Sequence, residues 1–431
     1  MIAEKEQKVY ANHNFCPTNK NYATILTGFL TFWRSSIMQI KTLEMLTLHI
    51  PFYTDYVTQH MQRALTHSEQ VEIYRVELDN GVIGYGENLG DESDNFDRVI
   101  GQNPFTIMQD DSIGFGIQMS LFDAVGKSVG VPVYQLLGAK VRDRCPISWW
   151  DIDMPPEDWV KEAEESIKRG YTSIKLKARP WRDIFEQVEA VGKVVPEGYK
   201  LDIDFNGFLL TAEGAQPVLQ ELDKHPNVAY YESPYYLGTD VEGAGRLQEV
   251  VEKRIVEHFN EPCLHARCCG GFVVGGGATG TRRINALCAS FDKPFWLQMV
   301  GTGITTAYAM HIGAVLSHAQ LPAITCFELW EHDLLTQRLE VVDGTIAPPE
   351  APGLGIEVDE YALERYRVEP GTPSPTALYK QRERTCRVHI PDDQGGEVVH
   401  DFSGEDVYYP AFSEGEYPGF VRGVWLEAIE G

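Results

Sequence analysis

Ser173-Ile-Lys-Leu-Lys177, Leu201-Asp-Ile-Asp-Phe-Asn206 and Val228-Ala-Tyr-Tyr-Glu232-Ser-Pro234 are three apolar runs within the stretch Tyr171 to Pro234, each closing on charged or amide side chains. Two amphipathic segments, roughly 180 to 195 and 211 to 224, lie between them and are long enough for helices. The order is β-α-β-α-β. In a parallel α/β fold the loops after the strands converge on one crevice, so polar groups at successive strand ends share a site. That arrangement points to an enzyme.

Working outward, strand-like runs recur near 145 to 149, 172 to 177, 200 to 205, 228 to 232, 254 to 258, 271 to 275, 294 to 298 and 323 to 328. Helical segments separate most of them, which predicts a modified (β/α)7β TIM-like barrel over residues 145–350. One link is short. Residues 259 to 270 are too few for a crossover helix with its loops. Residues 38–144 read as an α+β capping domain. Alternation in Glu69 to Leu78, the turn Asp79-Asn80-Gly81 and the run Val82 to Glu87 predict a hairpin. Phe115, Met119, Phe122 and Val125 give helical spacing over Ile113 to Val129. Phe52 to His67, rich in Tyr, His, Gln and Thr, is expected to be a mobile loop. Residues 1–37 have no period and precede Met38, which suggests a disordered leader or an upstream misread start. Residues 351–431 are expected to return to the cap and then extend, so that the cap is formed by both chain ends. The segment 391–431 carries ten acidic side chains against Arg422, yet Tyr408, Tyr409, Phe412, Phe420 and Trp425 suit a tail that packs on the body.

The chain has 431 residues, 43% of them hydrophobic, enough for ordinary buried cores. A net charge of -26 with no basic stripe argues against a nucleic-acid partner. Acidic small substrates would then need local lysines or a metal. Eight cysteines without a repeating framework fit reduced thiols in a cytoplasm. Cys263, Cys268 and Cys269 lack the paired spacing of zinc sites and read as buried small residues. Ala23 to Trp33 is apolar but too short to span a bilayer, so no membrane association is expected.

Three motifs compete for attention. Asp202-x-Asp204-x-Asn206-Gly207 with Glu213 satisfies the EF-hand calcium pattern, but Tyr199 to Asp204 alternates like a strand where that motif needs an entering helix. Gly275-x-Gly277-x-x-Gly280 imitates a dinucleotide fingerprint, yet the next strand ends Phe295-Trp-Leu-Gln298, without the acid a ribose requires. Its backbone amides remain able to hold an anionic substrate group. Lys175-x-Lys177 places two lysines on one face of an interior strand; desolvation and a neighbouring cation are expected to lower a lysine pKa and make a usable base.

Gly84-Tyr-Gly-Glu87, Phe122-Asp-Ala-Val-Gly-Lys127, Pro132-Val-Tyr-Gln-Leu-Leu-Gly138, Lys175-Leu-Lys177, Asp204-Phe-Asn206, Glu232-Ser-Pro234, Gly276-Gly-Ala-Thr279 and Pro352-Gly-Leu-Gly-Ile-Glu357 occur in an order and spacing that resembles the enolase superfamily. The likeness is to its mandelate racemase/muconate lactonizing branch and covers about residues 39 to 370. It implies abstraction of a proton next to a carboxylate, with the resulting enediolate stabilised by a divalent ion, usually magnesium. A Lys or His base working with magnesium in this superfamily is one of the cases on which the general rule rests.

Position by position, the resemblance implies Lys177 as the base and Lys175 as the neighbour that polarises the substrate carboxylate. Asp204 and Glu232 match the first two metal ligands, and Glu328 matches an acid that contacts substrate in some members. Asn206 and Gln298 become substrate-side residues. The third ligand falls in Arg254-Ile-Val-Glu-His258-Phe-Asn-Glu261, and His258, Glu257 or Glu261 can fill it. His258 is favoured because Glu257 alternates away from the inward face; an imidazole would suit manganese, iron or zinc better than magnesium. Where racemases and many dehydratases of this branch carry an Asp and a His, this chain has Gly271 and Gln298. No second general base is identifiable, which argues against two-base racemisation; on the half-site of Lys175, Lys177, Asp204 and Glu232, dehydration of a hydroxy acid or acid sugar is the leading expectation, with an epimerase or a catalytically impaired binding protein as alternatives. The expected partners are a small carboxylate substrate and further copies of this chain.

Overall fold

The structure is a computed structural model and describes residues 38–64, 67–179 and 182–376, together with the backbone of four strands beyond residue 383. Residues 1–37, and with them the expected leader, lie outside this range. Strands β1 (Ile40–His49), β2 (Gln70–Leu78) and β3 (Ile83–Asn88) form an antiparallel meander, with Ile73 opposite Glu87 and Val76 opposite Gly84. The predicted hairpin is thus present. Between β1 and β2 the expected mobile loop is instead a ten-residue helix, α1 (Asp55–Ala64). Its apolar positions are too sparse to show a period. They are Val57 and Met61, four apart, and both are fully buried. Helix α2 (Phe115–Val129) lies across β2 and β3. Contact is close because Gly84 and Gly86 lack a Cβ that would collide with the backbone at Ser120 and Gly116.

The eight predicted runs form β4 (Cys145–Asp151), β5 (Ser173–Lys177), β6 (Lys200–Asp204), β7 (Val228–Glu232), β8 (Arg254–His258), β9 (Gly271–Val274), β10 (Phe295–Leu297) and β11 (Ala323–Ile324). They pair in parallel from β4 through β10, and β11 pairs with the other edge of β4. A bridge between Gln298 and Ile324 joins β10 to β11 and nearly closes the barrel. Most intervening helices are full length; the short link carries the six-residue helix α3 (Glu261–Ala266), capped by Asn260. No described helix is long and apolar enough to cross a membrane.

After the barrel, helix α4 (Glu360–Tyr366) and the following segment run back to the cap, where Val368 N donates to Thr47 O at 2.9 Å and Thr376 N to Glu69 at 3.0 Å. The last four strands form a separate antiparallel sheet, in the order 397–403, 384–391, 424–430, 415–417. The aromatic side chains expected to pack on the body lie outside the described residues.

Candidate active site

Register brings the polar strand ends together. Lys175 lies beside Asp202 and Lys177 beside Asp204 across β5 and β6, while Asp204 lies beside Glu232 across β6 and β7. Alternate residues of a strand share a face, so all of these side chains turn into the barrel. Lys177 Nζ donates to Asp204 Oδ2 at 2.7 Å and to Asn206 Oδ1 at 2.9 Å. Lys175 Nζ is ion-paired with Glu232 Oε2 and lies 3.2 Å from Asp204 Oδ2. It also donates to Gln298 Oε1 at 2.9 Å and sits over the Trp296 ring. Asn206 and Ser233, the residues just past the two acids, both adopt positive φ (46° and 42°), a strained turn that re-aims the chain at the strand ends.

The three candidates for the last acid position separate cleanly. Glu257 faces outward and is fully engaged, accepting from Ser233 Oγ at 2.8 Å, Leu237 N at 3.0 Å and His258 N at 2.7 Å. Glu261 is exposed at the start of α3. His258 turns inward, with Nε2 3.4 Å from Glu232 Oε1 and its side chain 57% exposed at the mouth. Glu328 is not brought to the lysines: it is buried, and the charges that act on it are Arg338, Arg169 and Asp333. Burial pushes its carboxyl up to about 8, with Arg338 partly opposing.

At Lys175 the electrostatics departs from the expectation of a lowered lysine pKa. Burial acts to lower the Lys175 pKa, but Glu232, Asp204 and Asp202 outweigh it and hold the ammonium above the ordinary lysine range. Asp204 is correspondingly held well below the carboxylate range: burial opposes ionisation, and Lys177 and Lys175 overcome it. Asp202, one layer deeper, is raised well above its usual value by burial and by Glu232.

Both competing motifs dissolve in three dimensions. The amides of Thr279 and Gly280 at the glycine-rich turn receive Asp111 at 3.0 and 2.6 Å, and Ala278 N donates to Gln118 Oε1 at 2.8 Å. A carboxylate of the cap therefore occupies the place expected for an anionic substrate group. Glu213 of the calcium pattern lies on the surface near Arg246, away from Asp202 and Asp204 inside the barrel. His311 is a core residue, with Nδ1 accepting from Tyr134 N at 3.3 Å and Nε2 3.0 Å from Leu354 O.

Four further residues join the site, of which Asp202 had figured only in the calcium pattern. Asp202 underlies Lys175, Trp296 faces it, Cys326 is buried close enough to feel both lysines, and Arg179 donates to Asn206 Oδ1 at 2.9 Å. Asp202 and Arg179 were legible as period-two continuations of Asp204 and Lys175-x-Lys177; Cys326 and Trp296 carried no such signal.

Fold and site define a barrel enzyme scaffold with a lysine–carboxylate centre at its strand ends. The family model described as enolase C-terminal domain-like matches residues 158–258 and 272–362. The D-gluconate dehydratase of Thermoproteus tenax is 24% identical over 287 residues, and the chain spans 59% of itself and only 56% of that protein. An N-succinylamino acid racemase of Thermus thermophilus is 28% identical over 276 residues, covering 58% of this chain and 69% of that one. An enolase structure from Pseudomonas fluorescens with bound magnesium, potassium and tartrate superposes with a TM-score of 0.65 at 21% identity, over 76% of this chain and 92% of that one. The chain thus carries an enolase C-terminal domain-like barrel, and the proteins it is similar to are enolase-superfamily members, mandelate racemase/muconate lactonizing types among them.

The residues present suit a divalent ion. Glu232 is fully buried, and Asp204 and His258 stand beside it. Among the described residues, however, no three such side chains are grouped as a ready cage. The Lys175 ammonium lies against both carboxylates.

Proposed function

We propose that this chain abstracts the proton α to the carboxylate of a small hydroxylated acid and expels a β-hydroxyl as water. The convergence of Lys177 and Lys175 with Asp204 and Glu232 inside the barrel carries the reading. Lys177 Nζ takes the proton, held on target by Asp204 and Asn206. Lys175 offsets negative charge on the substrate carboxylate. Asn206 and Gln298 orient the substrate, and the proton that Lys177 takes is the one available to the departing hydroxyl. Asp204, Glu232 and His258 would hold the divalent ion, magnesium by analogy with the Pseudomonas fluorescens structure, or manganese, iron or zinc given an imidazole ligand. When bound it would supply electrostatic stabilisation of charge developing on the substrate.

The test is to screen acid sugars with added magnesium or manganese, then follow exchange of the α-proton in deuterated water. Lys177→Ala should slow exchange by roughly 10²–10⁴-fold, the usual contribution of a positioned base. Unchanged exchange excludes Lys177. Recovery of stereochemically inverted substrate in place of a dehydrated product would favour the epimerase reading.

A further inference from the structure

We propose that Arg179 is a positioning residue, which pins the Asn206 amide with Oδ1 toward Lys177 and so fixes both the heading of the Lys177 ammonium and the direction in which Asn206 Nδ2 donates. The inference deepens the proton-abstraction reading above and rests on it for its catalytic consequence.

Arg179 lies two residues beyond Lys177, where β5 has ended, and is 1% exposed. Its guanidinium is braced on three sides. Nη1 donates to Ala178 O at 2.8 Å, Nη2 donates to Asn206 Oδ1 at 2.9 Å, and the group lies 5.1 Å from the centroid of the Phe208 ring. A planar fork bonded at two points has little freedom to turn. Lys177 Nζ donates to the same Oδ1, also at 2.9 Å, and to Asp204 Oδ2 at 2.7 Å. Two cations thus converge on one neutral oxygen, with the Asp204 carboxylate within range of both charges.

That convergence decides which way the amide faces. Lys and Arg side chains carry donors and no acceptor, so an amide turned end for end would set its own hydrogens against both. Lys177 is a single donor on a flexible stem and could follow a rotating amide; the second donor, held by Ala178 and Phe208, removes that freedom. The main chain of Asn206 is fixed as well, with N donating to Asp204 Oδ1 at 2.9 Å and φ at 46°. Nδ2 is therefore turned away from both cations, on a residue that is partly exposed. It is the end of the amide left to meet a substrate oxygen. One buried arginine, acting through Asn206, sets the heading of the base and of the donor beside it.

The experiment follows the Lys177 ammonium by NMR in protein carrying isotope-labelled lysine, together with α-proton exchange on the acid sugars screened above. In the unmodified protein the Lys177 ammonium should be rigid. Arg179→Met should drop its order parameter into the flexible range, below about 0.6, as Asn206→Ala should, and the double variant should be no more mobile than either single one. Arg179→Lys, which keeps a buried cation without the fork, should fall between. In the exchange assay Arg179→Met should lower kcat about tenfold, with partial recovery in Arg179→Lys and no further loss when it is added to Asn206→Ala. A rigid Lys177 ammonium in Arg179→Met overturns the proposal. So do losses that add in the double variant, which is what a merely structural arginine would give. Should Arg179→Met fail to fold, Arg179→Lys carries both readouts, and an ammonium as rigid as the unmodified protein's overturns the proposal. Absence of α-proton exchange in every variant refutes the proposed reaction, while the ammonium readout still decides whether Arg179 holds Lys177 through Asn206.

Discussion

At the scale of single residues, the site is a balance between acids and bases that share one water-poor interior. Three inward carboxylates face two inward ammonium groups; at Lys175 and Asp204 the attraction overcomes the burial penalty, whereas at Asp202 burial and the Glu232 charge prevail. Glu328 shows the opposite outcome, since Arg338 only partly offsets its burial. Its carboxyl titrates near 8 in the folded chain against an ordinary 4.5, so the folded state holds an extra proton between those values and stability falls as pH rises through that window. Glu328→Gln, which imitates the protonated form, should flatten the loss of melting temperature between about pH 5 and pH 8. A variant that keeps the slope of the unmodified protein would show that another group is responsible.

At the scale of elements, two helix N-termini on the barrel are held by carboxylates from the cap. Glu87, at the end of β3, accepts from Thr302 N at 2.6 Å, Thr302 Oγ1 at 2.9 Å and Thr305 N at 3.0 Å, where the helix Gly303–Val315 begins. Asp111 does the same for Ala278–Ser290. The unpaired amides and the helix dipole make each terminus an anion site, and the chain fills both itself. Asp111→Ala should cost about 1 kcal/mol in denaturant melts, the usual worth of a cap. Glu87→Ala leaves two buried amides without acceptors and should cost roughly 3 kcal/mol. An equal effect of the two changes would mean that burial of Glu87 contributes nothing.

At the scale of the whole molecule, cap and barrel are joined by polar contacts to the helix that follows β4. Tyr53 and Tyr56 donate to Glu162 of the barrel helix Pro156–Lys168, and His60 Nε2 lies 2.9 Å from Asp158 on the same helix. The helix Asp55–Ala64 is thereby fastened beside the strand ends, and His67 beyond it rests on Trp150 of the barrel. Replacing Tyr53 and Tyr56 together with Phe should raise amide exchange in Asp55–Ala64 while leaving β5 to β8 protected, because only the cap's anchor is removed. Uniform acceleration across both would show that the chain unfolds as one unit and would contradict a locally released cap.

The sequence by itself determined the parallel barrel, its eight strands and the inward set of Lys175, Lys177, Asp204 and Glu232, because period-two alternation and strand-terminal polar residues are local signals. It also carried the hairpin of the cap. It did not determine the helix at Asp55–Ala64, since apolar side chains four apart at Val57 and Met61 are too few to register without the surface that buries them. Alternation along β8 already favoured His258 over Glu257, but it did not show Ser233 and Leu237 reaching Glu257 on the outer side. The state of Lys175 was likewise out of reach, because its charge depends on how many carboxylates distant strands deliver to the same few ångströms. Tertiary structure decided these points because each is a sum over neighbours far apart in the chain.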